Sequence, residues 1–373
     1  MDTNSDDEVI LKLTCDYDAD SCKVIDHIIP ARLSRVHPER SESGFGLLGT
    51  LPAELLLITL VNLDFQSLPR LSRTCLRAKR VVENLVPYQQ VLKHAPTVPT
   101  ALITAGLVGH YPSSAVYRTL RTDRCVSCTD FGGFLYLPTC ERVCFECLHR
   151  NRGLWMITIP MAKTYFSLTY KQVQTLPIMR IIPGTYCLRT LEKTHKKPFR
   201  LVSVKAAKSL AIEVHGSAEN LAALFLRLTR QGRQLNHVFE RYHKAPLEAP
   251  GCDMSTLPPQ IPHIGSDPFA GVSSLRAPYI TDTGADWGQL CKGCQITYKD
   301  FLRRRMPARL YPRLCPPIPK VRSEPRMFAL TTRLRSRHGM LTHADHCYGA
   351  LKILRNLSNE EVADALEAND TQR

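Results

Sequence analysis

The chain has 373 residues, 44% hydrophobic and 22% charged, which is enough for two or three domains with their own cores and too apolar for a wholly disordered protein. No stretch approaches the roughly 20 apolar residues of a membrane span, and the N-terminus, with Asp6, Asp7 and Glu8, has neither the basic nor the apolar region of a secretory signal. The expectation is an intracellular protein of the cytoplasm, the nucleus or both, with no membrane partner. The formal net charge of +15 is unevenly spread: residues 1–46 hold ten acidic and five basic side chains, and the basic excess lies in Arg189–Lys244 and Lys299–Arg337. Such a surface fits an acidic partner, a nucleic acid or an acidic protein face.

In chain order, residues 1–46 read as a disordered acidic tail. From Leu47 the text turns helical. Pro52 suits a first helical position, Glu54 complements the helix dipole, and Leu51, Leu55, Leu56, Ile58 and Val61 recur at helical spacing. Asp64 or Ser67 caps a second short helix, and Thr74 or Cys75 opens a third, which together make a three-helix module over residues 47–90. The pattern continues into smaller helices near Pro87–His94, Pro99–Leu107 and Ser113–Leu120, and residues 91–160 read as a helical connector plus a four-cysteine element. Residues 161–244 read as a helical region, 245–286 as a Pro/Gly-rich linker, and 287–373 as a Cys/His element with helices, the last over Asn359–Asn369. The predicted fold class is mainly α, with two small β-hairpin elements built around cysteine knuckles.

Fourteen cysteines in an intracellular chain point to metal ligation before disulfides. Cys125-x2-Cys128 and Cys144-x2-Cys147 stand fifteen residues apart. A two-residue spacer lets one tight turn present two thiolates, and two such knuckles close a tetrahedral structural zinc site with no open position. Cys140 is an alternative ligand. Cys291-x2-Cys294 is a further knuckle, and His343 and Cys347 are predicted to complete a site of three cysteines and one histidine. If they share a helix, positions i and i+4 present both to one ion, with His346 as an alternative. One or two structural zinc ions are expected.

The run Leu51-Pro52-x-Glu54-Leu55-Leu56-x-Ile58, continuing through Leu63-Asp64, Leu68, Leu71-Ser72-Arg73-Thr74-Cys75 and Arg77, resembles the F-box. The resemblance covers roughly residues 47–90. It implies a three-helix module that docks on the Skp-type adaptor of an SCF ubiquitin ligase, the rest of the chain selecting an unknown protein client. Carried over residue by residue, it implies adaptor contacts at Leu51, Pro52, Leu55, Leu56, Ile58, Leu63, Leu68 and Leu71. Beyond the box, Cys125–Cys147 with Phe131-Gly132 and Arg142-Val143-Cys144-Phe145, and Trp287-Gly288-x-x-Cys291-x-x-Cys294 with His343-x3-Cys347, resemble fungal F-box proteins. Pro69 departs from the pattern, because a helix beginning at Asp64 would lose a backbone bond there. Ala162-Lys163-x-x-Phe166-x-Leu168-Thr169 resembles the segment after the zinc module of the xeroderma-pigmentosum-A-type DNA-repair family. With the basic surface, it implies the alternative function, a zinc-organised nucleic-acid-binding protein. The chain has no Gly-rich phosphate loop, H-E-x-x-H helix or nucleophile elbow, so the expectation is a protein that is not an enzyme.

Overall fold

The computed structural model describes residues 3–15, 24–25, 28, 44–187, 192–230, 269, 271–314 and 323–371, and these are mostly helical with small antiparallel sheets, as predicted. The first departure is at the start. Residues 3–15 are not a disordered tail: α1 (Thr3–Leu13) runs into β1 (Thr14–Cys15). Ile10 and Leu13, three apart, form a buried stripe, while Asp7, Glu8 and Lys12 face water and Glu8 pairs with Lys12 at 2.7 Å. The acidic composition hides that stripe. The remainder of 1–43, apart from Val24, Ile25 and Ile28, lies outside the described residues.

Next come α2 (Ala53–Val61), α3 (Ser67–Ser72), α4 (Leu76–Glu83), α5 (Val86–His94), α6 (Thr97–Thr104) and α7 (Ser113–Leu120). The second helix resolves the Pro69 question. Asp64 Oδ1 accepts from the amides of Gln66 (2.7 Å) and Ser67 (2.8 Å), so Pro69 falls in the first turn, where its missing N–H costs nothing. Asp64→Ala should therefore lower stability by about 1 kcal/mol in chemical denaturation. Cys75 caps α4, its sulfur accepting from the Ala78 amide at 3.3 Å.

A hairpin of β2 (Phe134–Tyr136) and β3 (Glu141–Val143) leads into α8 (Phe145–Arg150). Then follow β4 (Met156–Thr158), α9 (Ile159–Phe166), α10 (Tyr170–Val173), β5 (Met179–Arg180), β6 (Gly184–Cys187), β7 (Glu192–His195), β8 (Arg200–Ser203), α11 (Val204–His215) and α12 (Ala218–Arg230). The described part of the region expected to be helical, within 161–230, therefore also holds strands: β5 and β8 join β4 in one small sheet and β6-β7 form a ribbon, while 231–244 lie outside the described residues. These strands are too short and too charged, at Arg180, Glu192, Lys193 and Arg200, to show a period of two. Thr169 caps α10 in a capping box with Gln172, a local structural role for that residue.

The expected linker also needs correction. Residues 245–268 lie outside the described residues, but β9 (Ser274–Arg276) adds to β2 on the side away from β3, and Val272, Leu275 and Ala277 are buried. A hairpin of β10 (Tyr279–Ile280) and β11 (Ala285–Asp286) follows. The largest core thus joins α2–α7, the β3-β2-β9 sheet and the first cysteine element.

The C-terminal part contains β12 (Leu290–Cys291), α13 (Lys292–Leu302), α14 (Tyr311–Leu314), α15 (Ser323–Thr331), α16 (Arg337–Ala344), α17 (Tyr348–Arg355) and α18 (Asn359–Thr371). β12 pairs with β1 from the far end of the chain, Thr14 opposite Cys291. Helices α13 and α17 meet at Gly293 and Gly349, with the Gly349 amide donating to Thr297 Oγ1 at 3.1 Å. Among the described residues, no helix is long and apolar enough to cross a membrane.

Candidate metal centres and an exposed helix face

Both predicted ligand sets come together. Cys125, Cys128, Cys144 and Cys147 are all buried, and their sulfurs lie within 4.8 Å of one another. Cys128 and Cys144 sulfurs are 3.6 Å apart, close to the ~3.8 Å between corners of a tetrahedron with metal–sulfur bonds of about 2.3 Å. The first knuckle is a turn in which the Cys125 amide donates to Asp130 O (2.7 Å) and Thr129 takes a left-handed conformation, φ 63°. The second is a helix start: Cys144 caps α8 and its sulfur accepts from the Cys147 amide at 3.4 Å. A helix N-terminus favours the thiolate over the thiol. Cys140 is not a ligand. It turns the β2–β3 hairpin at the end opposite the knuckles, with φ 52°, and burial pushes its thiol up to about 12.

The second set joins Cys291, Cys294, His343 and Cys347, again with ligand atoms within 4.8 Å. Cys294 Sγ lies 3.2 Å from His343 Nε2 and 3.9 Å from Cys347 Sγ. Two expectations are corrected here. The knuckle is not a β-hairpin: Cys291 ends β12 and stands at the N-cap of α13, whose first turn carries Cys294. Nor do His343 and Cys347 share one helix face. His343 lies in the last turn of α16, the chain turns at Asp345, and Cys347 is the N-cap of α17. The four-residue spacing converges because the helix breaks between them. His346 is not among the grouped ligands.

Thiols this close cannot all ionise without a cation among them. Cys125 is held far below the ordinary thiol range by hydrogen bonds from Cys128, then Cys144 and Cys147, while Cys144 is raised, chiefly by its hydrogen bond to Cys125. In the second set Cys291 is likewise lowered by Cys294 and Cys347, and Cys294 is pushed up to about 12. His343 is lowered, first by burial, which favours the neutral ring that a metal needs. Both sets are geometrically suited to zinc, and four protein donors fill a tetrahedron.

Several residues around the centres carried no spacing signal. Arg142, 2% exposed, stacks on Phe131 and donates from Nη1 to Ala277 O and Pro278 O, both at 2.9 Å, while its own carbonyl accepts from the Val126 amide of the first knuckle. Glu146, Asp130, Arg333 and Arg335 also surround the ligands. Only their contacts reveal them.

The residues carried over from the F-box separate into two groups. Leu56 and Leu68 are buried in the chain's own core, which corrects their assignment as surface contacts. Leu55 and Ile58 are 52% and 60% exposed, and Pro52 is exposed as well. Leu51, Leu63 and Leu71 are half-buried, packed at the edge of the same core. Leu57 and Leu47 add exposed apolar surface that the resemblance did not single out. Helix α2 is therefore apolar on both sides: Leu56 and Leu60 point inward, and Leu55, Leu57 and Ile58 face water. No family model, no curated protein and no solved structure matches this chain.

Proposed function

We propose that this chain is a non-catalytic, zinc-bound recruiting protein, an F-box-type subunit that docks a Skp-type adaptor through α2 and its flanking residues and holds a protein client elsewhere. The observation that carries this reading is the outer face of α2. Large apolar side chains on a helix are normally buried, and an outer face that leaves Leu55, Leu57 and Ile58 in water beside Glu54 and Thr59 fits a face completed by a partner. Zinc is the metal proposed for both centres, because four cysteines, or three cysteines and one histidine, are among its usual closed structural donor sets. A filled tetrahedron leaves no position for substrate, which favours a structural role. Recruitment would act by raising the client's effective concentration near a ubiquitin-transfer enzyme.

The test is co-purification of the full-length, zinc-loaded chain with a Skp-type adaptor, against the double variant Leu55→Asp, Ile58→Asp. Both side chains are exposed, so the variant should keep its circular dichroism and melting temperature while adaptor affinity falls by at least about tenfold. A folded native chain that binds no adaptor overturns the reading. If that chain instead binds nucleic acid with steep salt dependence, the basic surface takes over as the functional face.

A further inference from the structure

Between the two centres runs one short stretch, Thr332 to Arg335. Thr332 Oγ1 donates to Glu146 Oε1 at 2.8 Å, and Glu146 sits between Cys144 and Cys147. Arg333 Nη2 pairs with Asp130 Oδ2 at 2.8 Å, and Asp130 supplies the carbonyl that closes the Cys125 turn. Leu334 is buried against Gly133, where any Cβ would collide with its side chain. Arg335, 8% exposed, donates from Nη2 to Cys294 Sγ at 3.6 Å and from Nη1 to Arg333 O at 3.0 Å. Its backbone exchanges both hydrogen bonds with Gln289, at 2.8 and 3.0 Å, two residues before Cys291. Ser336 then caps α16, which carries His343. Three of the four ligands of the second centre are thus held by a segment whose other contacts stand on the first.

We propose that residues 332–335 couple the two metal centres, so that an ion in one strengthens retention in the other. The inference rests on the metal reading above. Two physical terms support it. A divalent ion with three thiolates carries a net negative charge, and the buried Arg335 guanidinium balances it. In addition, Asp130 and Glu146 keep their positions only while the first centre holds its two knuckles together, so losing that ion releases the anchors of Thr332 and Arg333.

The experiment uses full-length protein loaded with Co²⁺ at both centres, whose four-sulfur and three-sulfur–one-nitrogen spectra differ, and follows release to excess EDTA. In Cys125→Ser, Cys128→Ser, release from the second centre should speed up about tenfold, the scale of second-shell and inter-site coupling. In Thr332→Val, Arg333→Ala, which keeps all eight ligands, two equivalents should still bind and both centres should release faster. Combining the two pairs of changes should add little further to the rate at the second centre. Release from the second centre at the native rate in the ligand variant overturns the coupling. If that variant does not fold, native rates in the strap variant overturn it equally. Failure of the native chain to take up metal would remove the metal reading itself, whereas two equivalents released independently would remove only the coupling.

Discussion

Cys144→Ser is expected to unfold the middle of the chain, and chelation of the native protein should do the same. Cys144 belongs to the first four-cysteine cluster and caps α8, its sulfur accepting the Cys147 amide, so one substitution would remove a proposed ligand and loosen a helix start. The four sulfurs lie inside the largest core, with Phe134, Val143 and Phe145 packed round them. Structural zinc contributes on the order of 10 kcal/mol or more to small zinc modules, comparable with the whole net stability of about 5–15 kcal/mol of an ordinary domain. Calorimetry should therefore show the main transition lowered by well over ~10 °C or lost, together with loss of bound metal. Cys140→Ser is the control. That side chain lies at the far end of the hairpin, so metal content should stay at two equivalents and the cost should be about 1 kcal/mol. The pH dependence has a definite sign. Protons compete with metal for sulfur, and the unfolded, metal-free chain binds more of them, so stability rises with pH and acid releases the ion. Equal melting temperatures with and without chelator would rule out a structural role for the metal.

The second large effect is expected at the crossing of α13 and α17. Gly293→Ala and Gly349→Ala should each destabilise the C-terminal part by at least about 2 kcal/mol, because the clash is with backbone, which cannot rotate away. A Cβ on Gly349 would fall on the Gly293 carbonyl, and one on Gly293 would fall on the Ala350 amide. This close approach also lets Thr297 Oγ1 serve both helices, donating to Gly293 O at 2.9 Å and accepting from the Gly349 amide. Cys291 and Cys294 begin one helix and Cys347 begins the other, so separating the helices separates three ligands. Denaturation of the metal-loaded variants, with metal content measured alongside, checks both parts. A variant with native stability and full metal would show that the helices can shift apart without consequence. Gly216→Ala is a useful contrast. Its cost comes only from its left-handed backbone, φ 86°, so it should weaken the end of α11 and leave metal retention unchanged.

Much of the site chemistry was legible in the sequence because cysteine spacing is a local constraint. A two-residue spacer makes a knuckle whatever surrounds it, and all eight ligands proposed from spacing converge in two clusters. The helices of residues 53–120 were legible for a similar reason: leucine periodicity, Asp64 and Cys75 act within a turn or two of themselves.

What tertiary structure alone decided involves partners distant in sequence. Periodicity could not tell which side of α2 faces the core, because leucine or isoleucine falls on both of its faces; packing buried Leu56 and Leu60 and left Leu55 and Ile58 in water. Residues 3–15 are ordered because Leu13 and β1 pack on the C-terminal Cys/His cluster, a contact spanning more than two hundred and seventy positions. His343 and Cys347 converge across a helix break that their spacing alone would assign to one helix. The roles of Arg333 and Arg335 exist only once both clusters are in place: Arg333 needs Asp130 beside it, and the buried Arg335 guanidinium is stable only where sulfur and carbonyl acceptors surround it. Local spacing determined which residues can bind metal, and long-range packing determined what holds the two centres together.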